Sequence, residues 1–177
     1  MKKVILPLLL AFLSNTLLAQ SQAEITADRE HEGGRIVKGV ITAEWLLKDS
    51  VFNKDYTGRP PGYTPDAQAL NTLRSKGDSI QLFVFMGTWC EDSRFVVPRL
   101  FFLLDAAGYS KQKLTIVGVD RSKQTLGNLT QTLNVKNVPT IIAFKNGKEL
   151  GRVVEYGKSG LFDKDLGEVL TQKPAAQ

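Results

Sequence analysis

The chemistry of this chain centres on its one cysteine, Cys90, in the segment GTWCEDS at residues 87–93. This cysteine stands between a predicted strand and a predicted helix, so its thiol faces the helix N-terminus. Unpaired backbone N–H groups and the positive end of the helix dipole both stabilise a thiolate over a thiol there. A thiolate attacks disulfide sulfur and is the form that is oxidised to a sulfenic acid. We therefore predict that Cys90 is a nucleophile in redox chemistry.

Charged neighbours act on this thiol in opposite directions. Glu91 and Asp92 favour the helix N-terminus but oppose ionisation of Cys90, and Arg94 offsets part of that effect. The sequence leaves open which influence dominates. A single cysteine excludes an intramolecular disulfide framework and a cysteine-based zinc site, and a single histidine, His31, excludes a histidine-rich metal cluster. No cofactor and no metal are expected.

An apolar strand and a helix must hold Cys90 in place. Residues 80–86 are nearly all apolar, which is typical of a strand buried on both faces. A helix broken by Pro98 is predicted over residues 93–107, and a second buried strand is predicted at residues 114–119. This order of strand, helix and strand predicts a parallel pair joined by a right-handed crossover.

The other predicted elements complete a mixed sheet covered by helices. Asn146 and Gly147 are expected to form a hairpin turn between strands at residues 140–144 and 150–156. Residues 20–34 are predicted to be a flexible lead-in containing a solvated His31. The remaining predictions are a strand at 35–41, a helix at 42–47 capped by Thr42, a loop at 56–63, a helix capped by Thr64 and ended by Gly77, a helix at 124–133 and a closing helix at 162–170.

Several short motifs occur in a fixed order along the second half of the chain. They are LFVF at 82–85, Trp89, Cys90, Pro98, Val138, Pro139, Thr140, FKNGKE at 144–149, Gly151 and Arg152. In these residues the chain resembles the thioredoxin-like superfamily, over about residues 79–170. The resemblance implies an α/β thioredoxin fold, with a central mixed sheet flanked by helices and, here, an N-terminal extension. The segments at residues 87–93, 97–99 and 119–121 are more similar to a bacterial cell-envelope branch than to thioredoxin itself.

Three departures from the family pattern limit the chemistry that carries over. Ser93 replaces the second active-site cysteine, so the dithiol has become a monothiol Cys-x-x-Ser site. A mixed disulfide at Cys90 must then be released by an external thiol, such as glutathione or a partner protein. The usual Gly-Pro pair is replaced by Glu91 and Asp92, and Val84 stands where thioredoxin has its buried proton-transfer acid.

The resemblance also implies roles for the residues around the cysteine. Cys90 is expected to be catalytic, and Ser93 to donate its hydroxyl to the thiolate. Trp89 is expected to shield one side of the site, while Pro139, if cis, exposes the Val138 backbone to an extended substrate. Two functions remain open: thiol–disulfide exchange through a mixed disulfide at Cys90, or a catalytically inactive module that binds extended peptides or a protein partner.

The first residues predict export. Lys2 and Lys3 precede a short apolar stretch that ends in small residues, a pattern typical of a secretory signal peptide over residues 1–19. Cleavage is predicted after Ala19 or, as a second choice, after Ala23. Because the stretch is shorter than the ~20 apolar residues that span a bilayer, no stable membrane anchor is expected. The expected destination is the periplasm or the extracellular space.

Length and charge bound the remaining alternatives. The chain divides into the signal peptide, a lead-in and extension at residues 20–78, a thioredoxin-like domain at 79–171 and a tail at 172–177. Two of the 23 basic residues and none of the 18 acidic residues lie in the signal peptide, so the rest carries a net charge of +3. This ordinary surface argues against a nucleic-acid partner. We expect a monomer whose partners are protein or low-molecular-weight thiols and disulfides.

Overall fold

The computed structural model describes residues 23–31, 33–49, 52 and 60–173, so the predicted signal peptide and residues 56–59 of the predicted 56–63 loop lie outside the described residues. The strands are β1 (Ala23–Ala27), β2 (Arg35–Ile41), β3 (Ile80–Met86), β4 (Leu114–Gly118), β5 (Thr140–Lys145) and β6 (Lys148–Val154). The α-helices are α1 (Ala43–Lys48), α2 (Ala67–Lys76), α3 (Glu91–Ala107), α4 (Leu129–Thr132) and α5 (Phe162–Thr171), and short 3-10 helices cover Gly77–Ser79 and Lys111–Lys113.

The six described strands form one mixed sheet in the order β1-β2-β4-β3-β5-β6. Strands β3 and β4 are parallel and joined through α3, as the sequence predicts, with Val84 opposite Ile116. Every other neighbouring pair is antiparallel, including the β5–β6 hairpin around Asn146 and Gly147. Strand β3 lies inside the sheet between β4 and β5, so the loop that follows β3 is flanked by these two strands.

Alternate residues of β3 supply two hydrophobic clusters, one on each face of the sheet. Leu82, Val84 and Met86 belong to a larger cluster that also contains residues of α2, α3 and α5. Phe85 belongs to a smaller cluster, against which Cys90 packs. Burial on both faces explains why this strand is a continuous apolar run in the sequence.

Helices α2 and α5 pack closely against each other. The predicted N-cap Thr64 is wrong, because Asp66 caps α2 and its carboxylate accepts from the Ala69 N–H at 2.9 Å. The buried Asp163 of α5 in turn accepts from the Asp66 N–H at 2.8 Å. At Gly167 a Cβ atom would lie 2.8 Å from the backbone nitrogen of Ala69, so the close approach requires glycine.

Helix α3 begins two residues earlier than predicted and continues through Pro98. Its first residue is Glu91, and Gly108 ends it in the left-handed conformation with φ 69°. The prediction of a break at Pro98 is therefore wrong, since a proline that lacks one N–H removes a single helical hydrogen bond without ending the helix. In the described ranges, neither this helix nor any other is long and apolar enough to cross a membrane.

The prediction of a flexible lead-in is wrong where the structure describes it, because residues 23–27 form β1. This strand pairs antiparallel with β2, and Ile25 lies opposite Val37. The connecting turn is closed by the Asp28 N–H, which donates to the Gly34 carbonyl at 2.8 Å. Apolar and polar side chains alternate in these five residues within a mostly polar segment, and their pairing with β2 cannot be read from the composition of that segment.

The predicted helix at residues 124–133 is also largely wrong, because α4 covers only Leu129–Thr132. The buried Thr125 has another role. Its hydroxyl donates to the Gly118 carbonyl at 2.7 Å and accepts a backbone N–H of β2 at 2.9 Å. This link between two strands holds the segment after β4 in an irregular path.

Candidate active site

Cys90 is the N-cap residue of α3 and is half-buried. Its φ and ψ are −91° and 122°, and its carbonyl accepts the Arg94 N–H at 3.0 Å. Its backbone N–H donates to the Gly87 carbonyl at 3.1 Å, so a tight turn connects β3 to the helix. The thiol itself donates to the Val138 carbonyl, with the sulfur 3.3 Å from the oxygen. The structure thus brings the Cys90 thiol against the Val138 backbone, 48 residues away in the chain.

The loop that carries Val138 is firmly held. The Val138–Pro139 peptide bond is cis, and both residues are buried. The Pro139 carbonyl accepts the Glu155 N–H at 2.7 Å, and the Thr140 hydroxyl donates to the Asn137 carbonyl at 2.7 Å. These bonds fix the loop between β5 and the end of β6, facing the helix N-terminus.

Ser93 lies beneath the turn rather than in hydrogen-bonded contact with the thiol. It is completely buried, and its hydroxyl oxygen accepts the Gly87 N–H at 3.2 Å. Among the hydrogen bonds of the described residues, none joins Ser93 to Cys90 while the thiol donates to Val138. In this state Ser93 therefore stabilises the turn that presents Cys90.

Trp89 forms one wall of the site. Its indole Nε1–H donates to the Val119 carbonyl at 2.9 Å. Its ring covers Gly87, where a Cβ atom would lie 2.6 Å from the indole Cε2. Two cations approach the ring, with the Arg121 Cζ 5.2 Å and the Lys123 Nζ 5.7 Å from its centroid. Cation–π attraction and the lack of a side chain beneath the ring together set the indole position.

Tyr156 and Asp92 lie on another side of the cysteine. The Tyr156 hydroxyl donates to Asp92 Oδ1 at 2.9 Å, and its ring centroid is 5.4 Å from that of Phe95. Burial, followed by the bond to Asp92, raises the pKa of Tyr156 to about 12. The phenol therefore stays protonated at neutral pH and keeps its donor for the carboxylate.

Comparison with known proteins identifies the scaffold that carries this geometry. A family model described as Thioredoxin matches residues 66–165, which is more than half of the chain. The chain belongs to the thioredoxin family. This membership confirms the predicted thioredoxin fold, and residues 23–65 precede the matched region as an N-terminal extension.

Individual thioredoxins share moderate identity with this thioredoxin-family chain. It is 31% identical over 86 residues to thioredoxin of Echinococcus granulosus, covering 49% of this chain and 75% of that protein. It is 26% identical over 119 residues to thioredoxin H9 of Arabidopsis thaliana, covering 66% of this chain and 81% of that protein. Among solved structures, oxidized thioredoxin O2 of Arabidopsis thaliana is 31% identical, covering 49% of this chain and 70% of that chain with a TM-score of 0.34.

The predicted site residues of this thioredoxin-family chain fall into two groups. Cys90 contacts Val138, which is joined to Pro139 by the cis peptide bond, and Trp89 packs against the same hydrophobic cluster as Cys90. Ser93 is adjacent in sequence but bonds to the turn instead. In β3, Val84 is completely buried in the larger hydrophobic cluster, so this strand carries no acid at that position.

Sequence reasoning did not assign a role to Tyr156, Arg121 or Asp28. The Tyr156 partner Asp92 is 64 residues away, and the Arg121 partner Asp28 is 93 residues away. Neither pairing produces a periodic or local signal. The one available signal was position, because Tyr156 and Arg121 each follow a strand of the predicted sheet.

Within the described residues, no group of three or more histidine, cysteine, aspartate and glutamate side chains is placed to hold a metal ion. The chemistry of the donor set is consistent with this result, since the site offers one thiol flanked by backbone carbonyls and an indole. Chemically, such groups are able to bind an extended peptide segment, and the thiol is able to take part in thiol–disulfide exchange.

Proposed function

We propose that this thioredoxin-family protein is an exported monothiol that carries out thiol–disulfide exchange through Cys90. The observation that carries the proposal is the placement of the half-buried thiol at the N-cap of α3, hydrogen-bonded to the Val138 carbonyl. Helix N-termini favour the thiolate, which is the attacking form. Family membership supports thiol or disulfide partners in general.

The exchange proceeds in two balanced steps. The Cys90 thiolate attacks one sulfur of a substrate disulfide, a new Sγ–S bond forms, and the old S–S bond breaks. The electron pair leaves on the second substrate sulfur, which takes up a proton from solvent. An external thiolate, such as that of glutathione or a partner protein, then attacks the substrate sulfur of the mixed disulfide and releases Cys90 as thiolate. Cys90 ends as the thiolate it was at the start. The substrate sulfur ends in a new disulfide with the external thiol.

The monothiol character follows from the residue at position 93. Ser93 is buried where the family has its second active-site cysteine, and a hydroxyl cannot attack a mixed disulfide. In the resting thiol state its oxygen accepts the Gly87 N–H. We propose that its hydroxyl proton turns toward Cys90 once the thiol has ionised, which is the role that the family resemblance implies.

Ionisation of Cys90 also changes what Val138 offers to a substrate. The thiol proton occupies the Val138 carbonyl in the resting state. A thiolate has no proton to donate, so the carbonyl becomes available to a backbone N–H of an extended substrate. Activation of the nucleophile and exposure of a substrate acceptor are therefore coupled, and Pro139 holds the acceptor in place.

The proposal includes export and membership of a bacterial cell-envelope branch. The signal-like residues 1–19 support export to the periplasm or the extracellular space. The Cys-x-x-Ser site and the acids Glu91 and Asp92 support the branch. An oxidising compartment would supply disulfide substrates for an unpaired thiol.

A specific pair of observations also favours a second candidate, a binding module without catalysis. Ser93 provides no resolving thiol, and the buried Val84 provides no acid for proton transfer. Under this alternative, an extended partner binds along Val138 and Trp89 while Cys90 is dispensable.

One experiment separates the two candidates. The chain from residue 20 is incubated with a fluorescent peptide disulfide, and the mixed disulfide is measured by intact mass before and after addition of glutathione. Exchange predicts one adduct at Cys90, released by glutathione, and no adduct for Cys90→Ser. Peptide binding by Cys90→Ser with the affinity of the parent, together with no adduct on the parent, would establish the binding module instead.

A further inference from the structure

The N-terminal extension approaches Trp89 through an ion-pair network that joins the end of β1 to Arg121, three residues after β4. The Asp28 side chain is only 2% exposed, and its carboxylate accepts from Arg121 Nε at 3.2 Å and Nη2 at 2.8 Å. It also accepts the Glu30 N–H at 3.1 Å. Glu30 pairs with Arg121 Nη1 at 2.8 Å, so two acids of the extension hold one guanidinium.

His31 completes this network. Its Nδ1 lies 3.2 Å from Asp28 Oδ2 and 2.9 Å from Arg121 Nη2, while its side chain is 64% exposed. The predicted solvated histidine is thus exposed but not isolated. Asp28, Glu30 and His31, which all contact Arg121, lie in the turn between β1 and β2.

The guanidinium held by this turn lies over Trp89. The Arg121 Cζ is 5.2 Å from the indole centroid, and the indole N–H donates to the carbonyl of Val119, two residues before Arg121. An arginine side chain has several rotatable bonds, and fixing it over a ring costs conformational entropy. Asp28 and Glu30 offset this entropic cost, because their ion pairs with Arg121 already hold the guanidinium in place.

A second, independent contact joins the same hairpin directly to the loop that contains Trp89. The Thr88 hydroxyl donates to the Arg35 carbonyl at 2.5 Å, at the first residue of β2. Thr88 is itself buried and directly precedes Trp89. The hairpin therefore holds two consecutive residues of the loop that presents Cys90.

We infer that the β1–β2 hairpin positions Trp89 beside Cys90, with Asp28 and Arg121 as positioning residues that act through the indole. The extension thereby sets the position of the indole beside the sulfur that a disulfide substrate must reach. The effect on exchange rests on the proposed function, whereas the effect on the Trp89 position does not.

The test follows Trp89 directly. The chain has two tryptophans, so Trp45→Phe makes Trp89 the only one and serves as the parent. Quenching of its fluorescence by acrylamide and the rate of mixed-disulfide formation at Cys90 are measured for Asp28→Asn in the folded protein. We expect Asp28→Asn to raise the quenching constant and to slow exchange about threefold to tenfold, the range of a lost cation–π contact.

Two further variants keep the inference falsifiable. Asp78→Asn is the matched control, because Asp78 forms an ion pair with Lys113 before β3, at the opposite end of that strand from Trp89. Arg121→Gln provides the second test if Asp28→Asn does not fold, because its side chain is 27% exposed. We expect Arg121→Gln to raise quenching as Asp28→Asn does, the double variant to add nothing, and Asp78→Asn to leave quenching at the parent value.

Unchanged quenching in both Asp28→Asn and Arg121→Gln would overturn the inference, as would an equal rise in Asp78→Asn. If the parent forms no mixed disulfide at all, the proposed function fails. The quenching constants still decide whether the hairpin positions Trp89.

Discussion

Two groups lie beside the Cys90 thiol. Cys90 caps the N-terminus of α3, the positive end of the helix dipole, and the Val138 carbonyl accepts the proton of the thiol. The acid at position 92 is a third group, and its carboxylate is engaged by the Tyr156 hydroxyl rather than left to turn toward the sulfur. The reactivity of this site therefore depends on where neighbouring groups are held, and not only on which residues are present.

A single substitution can supply the second thiol that the site lacks. Ser93→Cys places a sulfur three residues after Cys90 on the same helix face, where i and i+3 side chains are neighbours. We expect an intramolecular disulfide under oxidising conditions and release of a bound substrate without glutathione. Loss of free thiols, measured by alkylation and intact mass, reports the bond.

Ser79→Cys is the matched control, because Ser79 is exposed and belongs to a different element. This control should keep two free thiols. If Ser93→Cys also keeps two free thiols in the folded protein, position 93 is not the equivalent of a resolving cysteine.

The turn at Gly87 leaves no room for a side chain beneath the Trp89 indole. Gly87→Ala would place a Cβ atom 2.6 Å from the indole of Trp89, so the ring must move. We expect destabilisation of about 1–3 kcal/mol, typical of overpacking, with a shift in tryptophan emission. Urea unfolding monitored by circular dichroism gives the free energy. A variant as stable as the parent with unchanged emission would contradict the packing described for Trp89.

At the scale of elements, the α2–α5 contact depends on one small residue. Gly167→Ala would bring a Cβ atom to 2.8 Å from the Ala69 backbone nitrogen, and a backbone atom cannot turn aside. We expect a loss of about 1–3 kcal/mol in the free energy of unfolding, whereas the exposed neighbour Glu168→Ala should change it by less than about 0.5 kcal/mol. Equal effects of the two substitutions would show that the helices are not in close contact.

The β1–β2 hairpin adds a pH-dependent contribution. Hydrogen bonds from Arg121 lower the pKa of Asp28 below its ordinary 3.8. The stability that this carboxylate contributes is present above pH 3.8 and is lost as the pH falls through the lower folded-state value. We therefore expect the difference in unfolding free energy between the parent and Asp28→Asn to be constant from about pH 5 to 8 and to shrink at more acidic pH.

The measurement is urea unfolding across this pH range, with the exposed Asp105→Asn as control. The control should show a small difference throughout. A difference for Asp28→Asn that grows as the pH falls would have the opposite sign and would contradict the assignment.

The elements also show how far the sequence alone could lead. Strands β3 to β6 were predictable because buried strands are continuous apolar runs and Asn146-Gly147 is a strong turn signal. Strand β1 was missed, because its five residues, with Ala23, Ile25 and Ala27 alternating with two polar side chains, lie inside a mostly polar segment and its order comes from pairing with β2. The predicted helix after β4 failed for a related reason, since the Thr125 hydroxyl bridges two strands that local periodicity does not reveal.

The site residues also separate into those that the sequence predicts and those that only the structure shows. Cys90, Trp89, Val138 and Pro139 follow from motifs whose spacing reflects the fold. Tyr156 and Arg121 depend on partners far away in the chain, so only the folded geometry shows them.

At the scale of the whole molecule, the extension is part of the folded domain although the family match begins at residue 66. Val37, Ile41, Leu46 and Phe52 are buried in the larger hydrophobic cluster, and β2 covers the edge of β4. Each such side chain contributes about 1.5–3 kcal/mol on burial, so together they rival the 5–15 kcal/mol that stabilises a typical domain.

We therefore expect a chain that begins at residue 66 to lose cooperative unfolding, while a chain that begins at residue 23 keeps it. Circular dichroism during a thermal scan and dispersion of backbone amide signals measure the difference. Equal cooperativity and Tm in the two chains would show that the matched region folds by itself and that the extension is an appendage.

The central claim, that the fold presents Cys90 as a working nucleophile, is tested most directly by its rate of reaction with a small disulfide at neutral pH. The native protein is compared with the same protein unfolded in urea and with Cys90→Ser, and the adduct is counted by intact mass. We expect the native protein to react at least as fast as the unfolded chain, because the N-terminus of α3 favours the thiolate. A native protein that forms an adduct only after unfolding would contradict this claim and leave Cys90 as a half-buried residue without exchange chemistry.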